Sequence, residues 1–156
     1  MRSVVCAALA AGLLVPAAAA AADVDFGDSS SQTLTGKAWA ALDKGDYDSV
    51  AAYTDRCREL YADEAEQQQG ELTDFLAAEK AHDAWALNDV GTCCFIAGQA
   101  LEKQDRKADA AAAYEKIVAS YGYAQCWDPK GWFWRPAEAA AQRLKQLNFD
   151  AVLDEK

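Results

Sequence analysis

Five stripes of small and apolar residues recur at helical intervals along this chain, and no segment alternates convincingly at a period of two. That pattern admits one kind of core, built from helices packed face to face. Leu34, Ala38, Ala41 and Leu42 make the first stripe, and Tyr47, Val50, Cys57, Leu60 and Tyr61 the second. Trp85, Val90, Cys94, Ala97 and Leu101 make the third; Ala110, Tyr114, Ile117 and Tyr121 the fourth; Ala140, Leu144 and Leu147 the last. Gly45 stops the first helix, because glycine takes the left-handed C-terminal conformation without steric cost. Asp46 or Asp48 then caps the second by accepting from its free N–H groups. That helix runs toward Gln67-Gln68-Gln69, with Gly70 as the natural break, and Phe75 and Leu76 tuck the following connector onto the core. Gly98 lies on or beside the third stripe, where a missing side chain lets another helix come close. The spacing therefore predicts an all-α chain: two antiparallel helix hairpins and a C-terminal capping helix that begins at Pro136.

The first residues read as a removable leader. Met1-Arg2, an apolar run from Val4 to Val15 and small residues from Ala17 to Ala22 have the layout of a secretory signal peptide. The run is too short and alanine-rich for a membrane span, which needs about 20 strongly apolar residues. The expected organisation is a signal peptide over 1–22, a flexible acidic and serine-rich leader over 23–32, a helical domain over 33–148 and a frayed tail over 149–156. Such a chain, periplasmic or secreted, has no membrane insertion after cleavage. Losing Arg2 and no acid moves the net charge from −10 to −11. A protein this acidic repels phosphate backbones, which excludes nucleic acid as a partner, and it repels anionic membrane surfaces for the same reason.

Four cysteines follow the leader: Cys57, Cys93, Cys94 and Cys126. An even set in an exported protein reads first as disulfides. Neighbouring residues have Cα atoms about 3.8 Å apart, short of the roughly 4.4–6.8 Å of ordinary disulfides. Cys93 and Cys94 are therefore expected to bond outward, one to Cys57 and one to Cys126. Free buried thiols are the alternative.

Catalytic signals are sparse. His82 is the only histidine, and no Gly-x-Ser-x-Gly elbow accompanies it. On a continuous helix it lies about 16–18 Å from Cys93 and Cys94, too far for a dyad. The C-x₂-C and H-E-x-x-H pairs of zinc sites are missing, and no Gly-rich phosphate loop follows a strand, so neither metal nor cofactor is expected. Glycoside hydrolysis needs two carboxylates about 5–9.5 Å apart, for which Asp83, Asp89 and Asp128 stand nearest to aromatics. The densest signal is aromatic: Trp127, Trp132 and Trp134 cluster around the turn Asp128-Pro129-Lys130-Gly131. They serve either as a cap on the last hairpin or as a recognition surface, since indoles give large, rigid contact area to protein partners and flat faces to sugars.

Gly45-Asp46-Tyr47-Asp48-Ser49-Val50, followed by Tyr53 or Thr54 and Cys57, resembles the turn and second helix of a tetratricopeptide repeat. Gly98, Ala110 and Tyr114 resemble the helix-A glycine, the small helix-B position and the aromatic of a second repeat. Gly45 and Asp105 are 60 residues apart, against a period of about 34, so the connector is an insertion or an extended helix. Asp105 and Lys107 replace the usual glycine and tyrosine of the second turn. The segments Trp85–Val90 and Ala124–Trp134 also resemble a narrower group of exported bacterial tetratricopeptide-like proteins, some labelled beta-glucanase precursors. The resemblance implies a short α-solenoid whose concave groove holds a protein or peptide partner in the cell envelope, without catalysis. Trp39, Asn88, Asp89 and Gln99 are the expected groove residues, joined by Trp127, Trp132 and Trp134. A glycan-binding or glucan-hydrolysing protein using the aromatic segment is the alternative, and an exposed tryptophan row beside a cleft acid would favour it. Self-assembly through the aromatic cap would give a homodimer.

Overall fold

The computed structural model of the chain describes residues 24–128 and 130–154. The expected signal peptide over 1–22 lies outside them. Five α-helices follow in order: α1 (Ser31–Lys44), α2 (Tyr47–Glu71), α3 (Trp85–Lys103), α4 (Lys107–Ser120) and α5 (Pro136–Asp154). A 3₁₀ segment, Ala78–Ala84, leads into α3. The all-α expectation holds, with each stripe of small and apolar residues on a helix.

Ser30 caps α1, its Oγ accepting from the N–H of Thr33 at 3.2 Å. Gly45, at φ 72°, closes the helix while its N–H and that of Asp46 bond the carbonyls of Leu42 and Ala41. Asp46 Oδ1 then accepts from Ser49 N–H at 3.2 Å and starts α2. The α2 helix runs through the glutamines to Glu71, the extended form of the connector. Those glutamines are pins: Gln68 Oε1 accepts from Leu87 N–H at 3.0 Å, at the start of α3, and Gln69 Oε1 from Tyr123 N–H at 2.9 Å.

The central element is α3, which packs on α1, α2, α4 and α5. Leu87, Val90, Cys93 and Ile96 are fully buried there, as are Leu34 of α1, Cys57 of α2 and Ile117 of α4. Full burial of each Leu, Ile or Val side chain stabilises the fold by about 1.5–3 kcal/mol. Gly98 abuts the ring of buried Tyr114, as the second hairpin requires. The Tyr114 hydroxyl donates to Glu102 at 2.6 Å, and Arg143 of α5 pairs with the same carboxylate. Burial pushes the Glu102 carboxyl up, but the Arg143 and Tyr114 hydrogen bonds outweigh it and hold the group below its ordinary value. One acid thus joins three helices.

The structure departs from the sequence expectations at four places. Two short strands, β1 (Cys126–Asp128) and β2 (Trp132–Trp134), form an antiparallel hairpin pairing Trp127 with Phe133. Strands of three residues are too short for alternation to register; cross-strand ring contact, 5.2 Å between Trp127 and Phe133, holds them instead. The leader from residue 24 is packed rather than loose. Asp25 pairs with Lys37 at 2.9 Å, the edge of Phe26 meets Tyr53, and the Tyr61 hydroxyl donates to Ser29 O. The tail stays helical to Asp154, where Gln146 bonds Asp150 one turn on. Trp85, expected on the inner stripe, is 44% exposed with its ring against Tyr61, because five residues of helix turn it about 140° away from Val90.

Candidate functional site

The groove faces of α1 and α3 follow helical spacing. Ser31, Thr35 and Trp39 stand one turn apart on α1, and Trp85, Asn88, Asp89, Thr92 and Phe95 share a side of α3. The loop after α4 and the β hairpin close a facing wall. Together they bound a groove in two adjoining parts of about 720 and 400 Å³ that share Asp89, Cys126 and Trp127. His82 of the 3₁₀ segment and Tyr61 of α2 complete the larger part. Trp39, Asp128 and Trp134 belong to the smaller.

Asp89 stands where the two parts meet. Ser31 Oγ donates to its Oδ2 at 2.5 Å, a clip between α1 and α3. Burial raises the carboxyl above its ordinary value and the Ser31 hydrogen bond offsets only part of that rise. Among the described residues, no lysine or arginine lines either part of the groove. Asn88 next to it is spent on the fold: Nδ2 donates to Ala81 O and Oδ1 accepts from Gln125 N–H, both at 2.8 Å. Both ends of this buried amide thus hold backbone groups of the fold in place.

The aromatic segment divides. Trp134 packs edge-on against Phe95 at 5.1 Å and Trp39 at 6.3 Å. Trp127 is 53% exposed and lines both parts of the groove. Trp132, 49% exposed, sits toward the hairpin tip near Lys130 and lines neither part. Of the expected site residues, the structure therefore brings together Trp39, Asn88, Asp89, Trp127 and Trp134. Gln99 and Trp132 stand apart, because Gln99 lies beyond the stretch of α3 that the hairpin faces. Ser31, Tyr61, His82, Trp85, Gln125 and Cys126 were missed as groove residues. Tyr61 and Trp85 stood on stripes read as core, and His82 and Cys126 stood out only for other chemistry.

All four cysteines are free thiols, so the expected disulfides are absent from the structure. Cys93 and Cys94 do diverge, as neighbours on a helix must. Cys93 meets Thr35 Oγ1 at 3.2 Å and lies beside Cys57, and hydrogen bonding to Cys57 followed by burial raises its thiol strongly. Cys94 lies on the side of Arg58 instead, its thiol pushed up to about 12 by burial. Cys126 pairs with neither: its sulfur meets Thr92 Oγ1 at 3.0 Å and donates weakly to Asn88 O. Burial pushes this thiol up to about 11, so scarcely any thiolate exists near neutral pH for nucleophilic work. Among the described residues no group of three or more His, Cys, Asp or Glu side chains is placed to hold a metal ion, and no helix is long and apolar enough to cross a membrane.

Fold and groove together define a class: an all-helical protein with an open, aromatic-walled groove and a half-buried acid at its centre. No known family model, curated protein or solved structure matches this chain.

Proposed function

We propose that this protein is an exported, tetratricopeptide-like adaptor that holds a segment of another envelope protein in the groove along α1 and α3, without chemical transformation. The observation that carries the proposal is the groove itself. It is open, it joins the first helices of two successive hairpins, and exposed Trp85 and Trp127 stand on its walls. Rigid indoles at the rim of a groove give contact area at low entropic cost. Helices that pack in chain order, with α1 also against α3, support the solenoid-like comparison, as does the Gly98–Tyr114 contact. The three indoles of the aromatic segment do not form a row, since Trp134 is packed and Trp132 stands apart.

A glycan in the same groove is favoured by one observation: Asp89 and Asp128 line its smaller part together with Trp127. Two carboxylates beside a flat ring are the elements of glycoside chemistry. The deciding experiment immobilises the purified chain and exposes it to envelope extract, beside a Trp127→Ala variant, and a Phe133→Ala variant that loosens the hairpin but keeps the groove indole. One envelope protein retained by the wild type and by Phe133→Ala but lost from Trp127→Ala supports the adaptor. Release of reducing ends from a β-glucan, abolished by Asp89→Asn, replaces it with the glycan-acting protein.

A further inference from the structure

We propose that the groove seats one cationic side chain, a lysine or arginine of the bound segment, against Asp89 with the Trp127 ring beside it. This rests on the adaptor reading and names the chemistry of the partner's anchor. Asp89 has one hydrogen bond among the described residues, from Ser31 to Oδ2. The carboxylate is half-buried, and among the described residues no lysine or arginine stands beside it in the groove. A carboxylate partly removed from water with no cation beside it gains from an incoming positive charge. Asp128 adds a second carboxylate to the same part of the groove, and the indoles of Trp39 and Trp127 line it as well. Indole faces attract ammonium and guanidinium groups. Acid, ring and absence of lysine and arginine together fit a cation, and the net charge of −10 draws one in from a distance.

A purely structural role for Asp89 makes a different forecast. As a clip between α1 and α3, it needs only an acceptor for Ser31, which asparagine supplies equally well. Anchoring a cation needs the charge.

The test uses acetylated, amidated alanine heptapeptides with a single central Lys, Arg, Gln or Glu, titrated into the purified full chain. Binding is read from the indole N–H resonance of Trp127 and from tryptophan fluorescence. The Lys and Arg peptides should bind at least about tenfold more tightly than the Gln peptide, and the Glu peptide not at all. Asp89→Asn should erase that preference while leaving the fold intact by circular dichroism, and Ser31→Ala, which keeps the charge, should retain it. Gln and Lys peptides bound alike overturn the cation, a preference that survives Asp89→Asn overturns Asp89 as its seat, and either result leaves the adaptor standing. A response of Trp127 to cellotetraose with none to any heptapeptide overturns both. Silence toward the Lys and Arg peptides at about 10 mM also refutes the proposal.

Discussion

Replacing Gly98 with alanine tests how closely α3 and α4 are set. A Cβ at that position would lie 2.5 Å from Tyr114 Cε1, 2.8 Å from Cζ and 3.0 Å from Cδ1. The ring has little room to yield: it is fully buried, packs against Phe95 at 5.5 Å and is held through its hydroxyl to Glu102. Overpacking of this kind costs about 1–3 kcal/mol, and three ring atoms within contact argue for the upper end. Alanine returns about 1 kcal/mol through its better helix propensity. The net loss is about 2 kcal/mol, which at a urea dependence of about 2 kcal/mol/M lowers the unfolding midpoint by about 1 M. In a Tyr114→Leu background the obstructing ring is gone, and the same Gly98→Ala change should become neutral or stabilising. Urea titrations of the four proteins close the cycle. A Gly98→Ala variant as stable as the wild type would refute the claim that this contact sets the helix spacing.

Asn88→Ala strips the acceptor from Gln125 N–H and the donor from Ala81 O. It should cost about 2–4 kcal/mol in chemical denaturation and speed amide exchange at Gln125. Asp89→Asn should raise the melting temperature near neutral pH, since the folded carboxyl is held above its ordinary value. The sign follows from proton binding: the folded state holds that proton more tightly, so wild-type stability falls as pH rises from the ordinary carboxylate range through the raised value. The advantage of Asp89→Asn should therefore widen across that window and shrink in acid; a constant gap would refute it. Alkylation in denaturant followed by mass spectrometry should count four free thiols from Cys57, Cys93, Cys94 and Cys126. Under native conditions partly exposed Cys126 should react first, and recovery of a Cys57–Cys93 disulfide would restore the oxidised framework.

The parts of the fold legible in the sequence are those fixed by neighbours along the chain. The Gly45-Asp46 turn is one, since a left-handed stop and a side-chain cap are local properties of two residues. Gly98 and Tyr114 are another, readable because spacing along two helices places them. The groove was legible only in fragments. Ser31 and Asp89 meet across 58 residues, and a serine at a helix start announces no distant partner. The glutamines of α2 read only as the end of a helix, although two of them satisfy backbone donors of other elements. Stripe counting put Trp85 inside by accepting a step of five to Val90, but five residues turn a helix about 140°, which aims Trp85 away from that face. The hairpin escaped for the same reason that it is stable: ring contacts between its strands take the place of a long ladder.

The division of labour across the groove bears on how such a protein diversifies. One wall belongs to α1 and α3, whose inner sides are committed to the core. The other is a short ribbon tied down at its root by Asn88 and by the Trp134 ring, with its tip at Lys130 and Gly131 exposed. Lineages can therefore lengthen, shorten or recolour that ribbon and change what is recognised while inheriting the helices untouched.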